Sequence, residues 1–189
     1  LKFHYAGKYN GDENSLPQRE HPTGYVQFRE PKNMKTFAII INILAVVIVI
    51  LLLFLASVVS GKTFPEVVNV YGLVASIISI IPHEFLHALC FKGDVYMYQN
   101  LKQSMMFVAG TEDMSKGQFI FMSLLPNIVL GFIPFIIFLI FPDLTFLGTF
   151  GALAIGTGAG DYVNVFNCIT QVPKGAKVYM SGMHTYWYK

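Results

Sequence analysis

The sequence predicts an all-α membrane fold: four transmembrane helices, a small cytoplasmic β-hairpin, and both termini in the cytoplasm. Three observations predict it. Hydrophobic residues make up 54% of the 189 and charged residues only 13%, with a mean hydropathy of +0.54, well outside the balance of a soluble domain. Four stretches are long and apolar enough to supply the ~20 residues that a helix needs to cross a ~30 Å hydrocarbon core. Twelve of the 13 Lys and Arg side chains fall in segments that this topology places on one face, the cytoplasmic one. The near balance of 13 basic and 11 acidic residues excludes a basic nucleic-acid-binding surface. Two cysteines, Cys90 and Cys168, cannot make a disulfide framework, and at the cytoplasmic ends of their spans they read as free thiols.

In chain order, residues 1–33 are a cytoplasmic segment in which Asn10-Gly11-Asp12, Pro17, Pro22 and Pro31 predict loop or short strand. The first span runs from Met34 to Val59 and carries no charge from Phe37 onward. The second, Val67 to Cys90, is apolar as far as Ile81 and then holds Pro82, His83, Glu84 and His87. Two strand-like runs follow, Val95 to Tyr98 and Ser104 to Val108, separated by Gln99 to Gln103, and they predict the hairpin. The third span, Gln118 to Phe141, is interrupted by Pro126, Asn127 and Pro134. The fourth, Leu144 to Ile169, is rich in glycine and contains one acid, Asp161; Gly156 and Gly160 stand at the small-xxx-small spacing that admits a neighbouring helix. Residues 34–169 thus form a multi-pass domain of the cell membrane, and 170–189 a cytoplasmic tail. In that tail Tyr186, Trp187 and Tyr188 fit either a headgroup anchor or a packed aromatic cluster.

The chemistry concentrates in Pro82-His83-Glu84-Phe85-Leu86-His87. Residues four apart share a helix face, so both imidazoles can grip one tetrahedral Zn²⁺, while the adjacent Glu84 reaches a zinc-bound water as general base. Ionisable groups cost about 2.5–3.5 kcal/mol each inside a bilayer, which favours a role over accident. The competing reading ends the helix at Ile81 and leaves these residues solvated. Zinc needs a third protein ligand, and Asp161 is the expected one: it is the sole acid of the fourth span, which runs parallel to the second. At 1.5 Å per residue, His83 and His87 lie roughly 5–10 Å before the end of their span and Asp161 roughly 12 Å before the end of its own. His184, Glu112 and Asp113 compete for the same place. Cys90, about 10.5 Å of helix rise beyond His83, is too distant, and His4 and His21 read as surface residues. Asn127 and Asn164 are polar groups at membrane depth that fit either contact with a substrate backbone or its oxyanion, or hydrogen bonding between helices.

This His-Glu-x-x-His, with the later Gly160-Asp161-Tyr162-Val163-Asn164, resembles the site-2 protease class of intramembrane zinc metalloproteases. More closely, the chain resembles the zincin peptidase family of small bacterial multi-span membrane proteins, formerly a domain of unknown function. Gly7 to Asp12 and Gly158 to Asn164 with Pro173 extend that likeness over nearly the whole chain. The longer Asn-Pro and Leu-Asp-Gly pattern of site-2 proteases is absent. The resemblance implies a zinc site of His83, His87 and Asp161 with Glu84 as base. The expected function is hydrolysis of peptide bonds in a membrane-protein or peptide substrate, in or beside the bilayer near the cytoplasmic face of a bacterial membrane. A metal-binding membrane scaffold or sensor without turnover is the alternative. A metal-ion transporter would need ligands continuing across the bilayer, and the apolar opening of the second span offers only Asn69.

Overall fold

A 27-residue helix, α1 (Met34–Ser60), opens the apolar part of the chain and at about 40 Å exceeds the hydrocarbon thickness. The computed structural model describes residues 1–30, 34–100 and 105–189. Asn42, the one amide in the body of α1, donates to the Ala38 carbonyl at 2.9 Å and so is satisfied within its own helix. A Thr63–Glu66 capping box begins the short α2 (Phe64–Val67). Asn69 caps α3 (Val70–Ile78) by accepting from the Tyr71 and Gly72 amides. Helix α4 (Ile80–Ala88) follows after a break at Ser79. Pro82 explains that break: it has no N–H for the Ile78 carbonyl, and its ring crowds that turn.

Helix α5 (Lys116–Pro126) runs into a π-helical segment, Asn127–Phe132, and then α6 (Ile133–Ile140). The interruption expected at Pro126 and Asn127 therefore takes the form of a widened turn, with the Ile133 amide bonded five residues back to Ile128. Helices α7 (Thr145–Thr157) and α8 (Ala159–Gln171) follow.

The chain divides into two compact units. One comprises residues 30–83 and 124–163, with a core of Leu53, Ala56, Val67, Phe135, Phe138, Ala152 and Ile155. Helix α7 lies at its centre because its glycines admit neighbours. A Cβ on Gly151 would stand 2.7 Å from the Phe135 amide nitrogen, and one on Gly156 would overlap Val49 of α1. A Cβ on Gly160 would meet nothing within 4 Å, so that glycine is not a packing contact. Fully buried Thr149 ties the α2–α3 junction, accepting from Asn69 N at 2.9 Å and donating to Val67 O at 3.0 Å.

The other unit comprises residues 1–29, 84–123 and 164–189 and holds two sheets. In the first, β1 (Lys2–Lys8) runs parallel to β3 (Asp94–Asn100), which pairs antiparallel with β4 (Met105–Ala109). In the second, β2 (Val26–Gln27), β7 (His184–Tyr188), β6 (Lys177–Ser181) and β5 (Met114–Ser115) lie side by side in that order, all antiparallel. Val95, Met97 and Val108 of the first sheet pack with Ala88, Phe91, Phe119, Met122 and Cys168, and the same core takes in Val172 and Val178. Lys116 caps α8, its Nζ donating to the carbonyls of Ile169 and Val172 at 2.9 and 2.7 Å.

The structure differs from the expected all-α bundle in two ways. The molecule is mostly helical, but seven strands are present among the described residues, where the two of the hairpin and a loop or short strand in the opening segment were expected. Five of these, β1, β2, β5, β6 and β7, come from the opening segment, the foot of α5 and the tail. They find most of their partners far along the chain, which no local pattern announces. The strands expected around the hairpin do pair, Tyr96 with Ala109 through Asn100 with Met105, while Ser104 and the connection 101–104 lie outside the described residues. Among the described residues, three helices are long and apolar enough to cross a membrane, Thr36–Ser60, Val70–Ala88 and Lys116–Ile140. The stretch Leu144 to Ile169 is instead two helices of 13 residues meeting at Gly158, each about 20 Å long.

Candidate metal centre

Helix α4 carries His83, Glu84 and His87 in two adjoining turns, and the i, i+4 rule stacks the two imidazoles on one face. Among the described residues, these three form a group whose possible ligand atoms all lie within 4.8 Å of one another. Glu84 and His87 keep 8% and 6% of their surface, and the His83 side chain 13%. The bland alternative of solvated residues beyond a helix ending at Ile81 does not hold, because α4 continues to Ala88.

Asp161 lies in the first turn of α8, where the unpaired amides and the helix dipole favour a carboxylate. Its Oδ2 is 3.2 Å from His83 Nε2. Two ligands bonded at about 2.0–2.1 Å to a tetrahedral ion stand about 3.3 Å apart, so this separation matches one edge of a zinc coordination tetrahedron. The same oxygen accepts from Asn127 Nδ2 at 2.7 Å, and the Tyr162 hydroxyl lies 3.2 Å from Asn127 Oδ1 and 2.9 Å from the Ile155 carbonyl. Asn127 is fully buried. Its amide is thus engaged in holding Asp161, and in this arrangement it is not presented to a substrate. Gly158 makes room for it, since a Cβ there would overlap the Asn127 side-chain oxygen. Asn164, one turn beyond Asp161 on α8, is partly buried.

His87 Nδ1 is 2.8 Å from the carbonyl of Met122. A carbonyl can only accept, so Nδ1 carries a proton, and in the neutral ring Nε2 then has the lone pair that a metal would take. This outer partner was not legible as a residue type, because any residue supplies a carbonyl. The usable signal was Pro126, four residues on, which cannot donate to Met122.

The competing ligands are engaged elsewhere. Glu112 accepts from the Lys92 and Gly93 amides, and Asp113 from Arg19 and the Tyr188 hydroxyl. His4 pairs with Asp94 at 2.7 Å and holds that carboxyl below the usual carboxylate range by its hydrogen bond. His21 meets the Tyr179 hydroxyl at 2.8 Å, and the His184 ring sits edge-on to Tyr186. Cys90 Sγ turns back to the Leu86 carbonyl, and Cys90 and Cys168 are both free thiols.

The donor set of two imidazoles on one helix, one with its tautomer held and the other beside a carboxylate, suits Zn²⁺, which takes nitrogen and carboxylate oxygen. Comparison with known proteins agrees. No curated protein and no solved structure matches the chain. A family model described as "putative zincin peptidase" matches residues 76–177, just over half of the chain, with α4 and Asp161 both inside the match. By that match the chain belongs to this zincin peptidase family.

Proposed function

We propose that the protein is a membrane-embedded zinc peptidase in which His83, His87 and Asp161 hold the metal and Glu84 is the general base. The observation that carries this reading is the 3.2 Å approach of Asp161 to His83, in a chain whose His-Glu-x-x-His helix is part of an apolar stretch long enough to cross a bilayer. Zinc held there would supply a Lewis acid that polarises the scissile carbonyl and lowers the pKa of water towards about 7. Glu84, next in sequence to His83 and facing the same turn as His87, takes the proton of the attacking water and returns it to the departing amide nitrogen. His87 is kept in one tautomer by Met122 O, and Asp161 is kept against His83 by Asn127.

A substrate helix in lipid has its amides satisfied internally, so a segment must be unwound before its carbonyl can be reached. The strand pair around Val95 to Val108 suits the reception of such a segment. β4 is one of the two edge strands of its sheet, and an extended peptide can add to an edge by main-chain hydrogen bonds. The concentration of Lys and Arg in the segments flanking the spans supports cleavage near the cytoplasmic face of a cell membrane.

The test is cleavage of a reporter transmembrane peptide by purified protein in lipid vesicles. Wild type should cut it, a zinc chelator should stop the cutting, and added zinc should restore it. A wild-type protein that binds zinc and cuts no membrane peptide would contradict the peptidase reading and favour a sensor or scaffold. Proline substitutions in β4 should reduce cleavage of the reporter, and unchanged rates would remove the strand-addition step.

A further inference from the structure

We infer that Pro126 is a positioning residue of the metal centre: by withholding the N–H that would pair with the Met122 carbonyl, it leaves that carbonyl to His87 Nδ1 and so turns Nε2 outward as the metal-binding nitrogen. In an α-helix the amide of residue i bonds to the carbonyl of residue i−4, which for position 126 is Met122. Proline has no such amide. The His87 ring fills the gap at 2.8 Å, and both the His87 side chain and the Pro126 ring are buried. Inside a helix proline is by far the least favourable residue, so Pro126 is a costly choice for α5 unless something depends on the carbonyl it frees. The π-helical segment begins at the next residue, Asn127. Pro126 leaves the Met122 carbonyl to His87, and Asn127, the first residue of the widened turn, donates to Asp161. Pro134 lies in α6, beyond the π-helical segment, and withholds no amide from Met122.

This inference rests on the zinc reading of the site, and its test separates the two. Zinc affinity is measured by chelator competition on the purified full chain in lipid nanodiscs, for wild type, Pro126→Ala and Pro134→Ala. The tautomer of His87 is read from its ¹⁵N shifts in the zinc-free protein. Restoring an amide at 126 should weaken zinc binding about 10- to 100-fold, the range for loss of an outer-shell partner. It should also convert His87 from a single Nδ1–H tautomer to a mixture, with an unchanged or higher melting temperature. Pro134→Ala should bind zinc as wild type does. Unchanged zinc affinity in Pro126→Ala, an equal loss in Pro134→Ala, or a wild-type His87 protonated at Nε2 would each overturn the inference. A wild type that takes up no zinc would overturn the proposed function alone, and the zinc-free tautomer would still decide this one.

Discussion

Glu84 retains only 8% of its surface on a helix of apolar residues, a costly place for a carboxylate that has no task. If its task is proton transfer, Glu84→Gln should keep the metal and lose about 10²–10⁴-fold in the rate of peptide cleavage. A scaffold would be indifferent to the change, so rate and zinc content measured on the same sample distinguish the two. Of the two parts its sequence position allowed, Asn127 takes hydrogen bonding between helices rather than contact with a substrate or its oxyanion. Its amide lies between Asp161 and Tyr162, out of reach of solvent. Asn127→Ala should therefore weaken zinc binding about 10-fold or more and destabilise the fold by about 1–3 kcal/mol, the cost of leaving buried polar partners short of a hydrogen bond. Full zinc affinity in that variant would show that Asp161 holds its place unaided. Pairs close in sequence were legible in advance. His83, Glu84 and His87 share two turns of one helix, whereas the partners Met122 O and Tyr162 OH emerge only when distant turns meet.

At the scale of elements, the junction of α7 and α8 at Gly158 decides where Asp161 stands. Gly158→Ala would drive a methyl group into the Asn127 side chain, so it should lower both the melting temperature and the zinc affinity. Gly160→Ala, two residues on, where a Cβ would meet nothing within 4 Å, should preserve zinc binding and leave the melting temperature unchanged or slightly higher. Thermal unfolding and chelator titration of the two variants side by side check this. A Gly158→Ala protein as stable and as zinc-avid as wild type would mean that the Asn127 amide moves aside freely. The glycines of this stretch read from sequence as one long, closely packed span. Composition could not reveal that Gly148, Gly151 and Gly156 face α6 or α1, that Gly158 faces Asn127, and that the chain restarts as a new helix after it. The strands of the opening segment, read there as loop or short strand, had no local signal for their pairing: β1 and β2 gain their order from partners more than 80 residues away.

For the whole molecule, the distribution of Lys and Arg predicts sidedness. A single cysteine introduced at Lys62 should react with a membrane-impermeant maleimide in intact cells, and one introduced at Lys174 only after the membrane is opened. Equal labelling at both positions without permeabilisation would refute the proposed orientation. That orientation rests on composition and needs the stretch Leu144 to Ile169 as a fourth crossing, beside the three helices among the described residues that are long and apolar enough to span a membrane. The proposed metal centre rests on something narrower, a carboxylate and an imidazole from residues 78 apart in sequence meeting at 3.2 Å, close to the edge length of a zinc tetrahedron.

Zinc content per chain, with the dissociation constant, is therefore the most direct measurement, made on wild type and on His83→Ala, His87→Ala and Asp161→Ala. The account predicts one zinc per wild-type chain and a loss of at least 10-fold in affinity for each variant, Asp161→Ala included. Tight stoichiometric zinc in Asp161→Ala would contradict it.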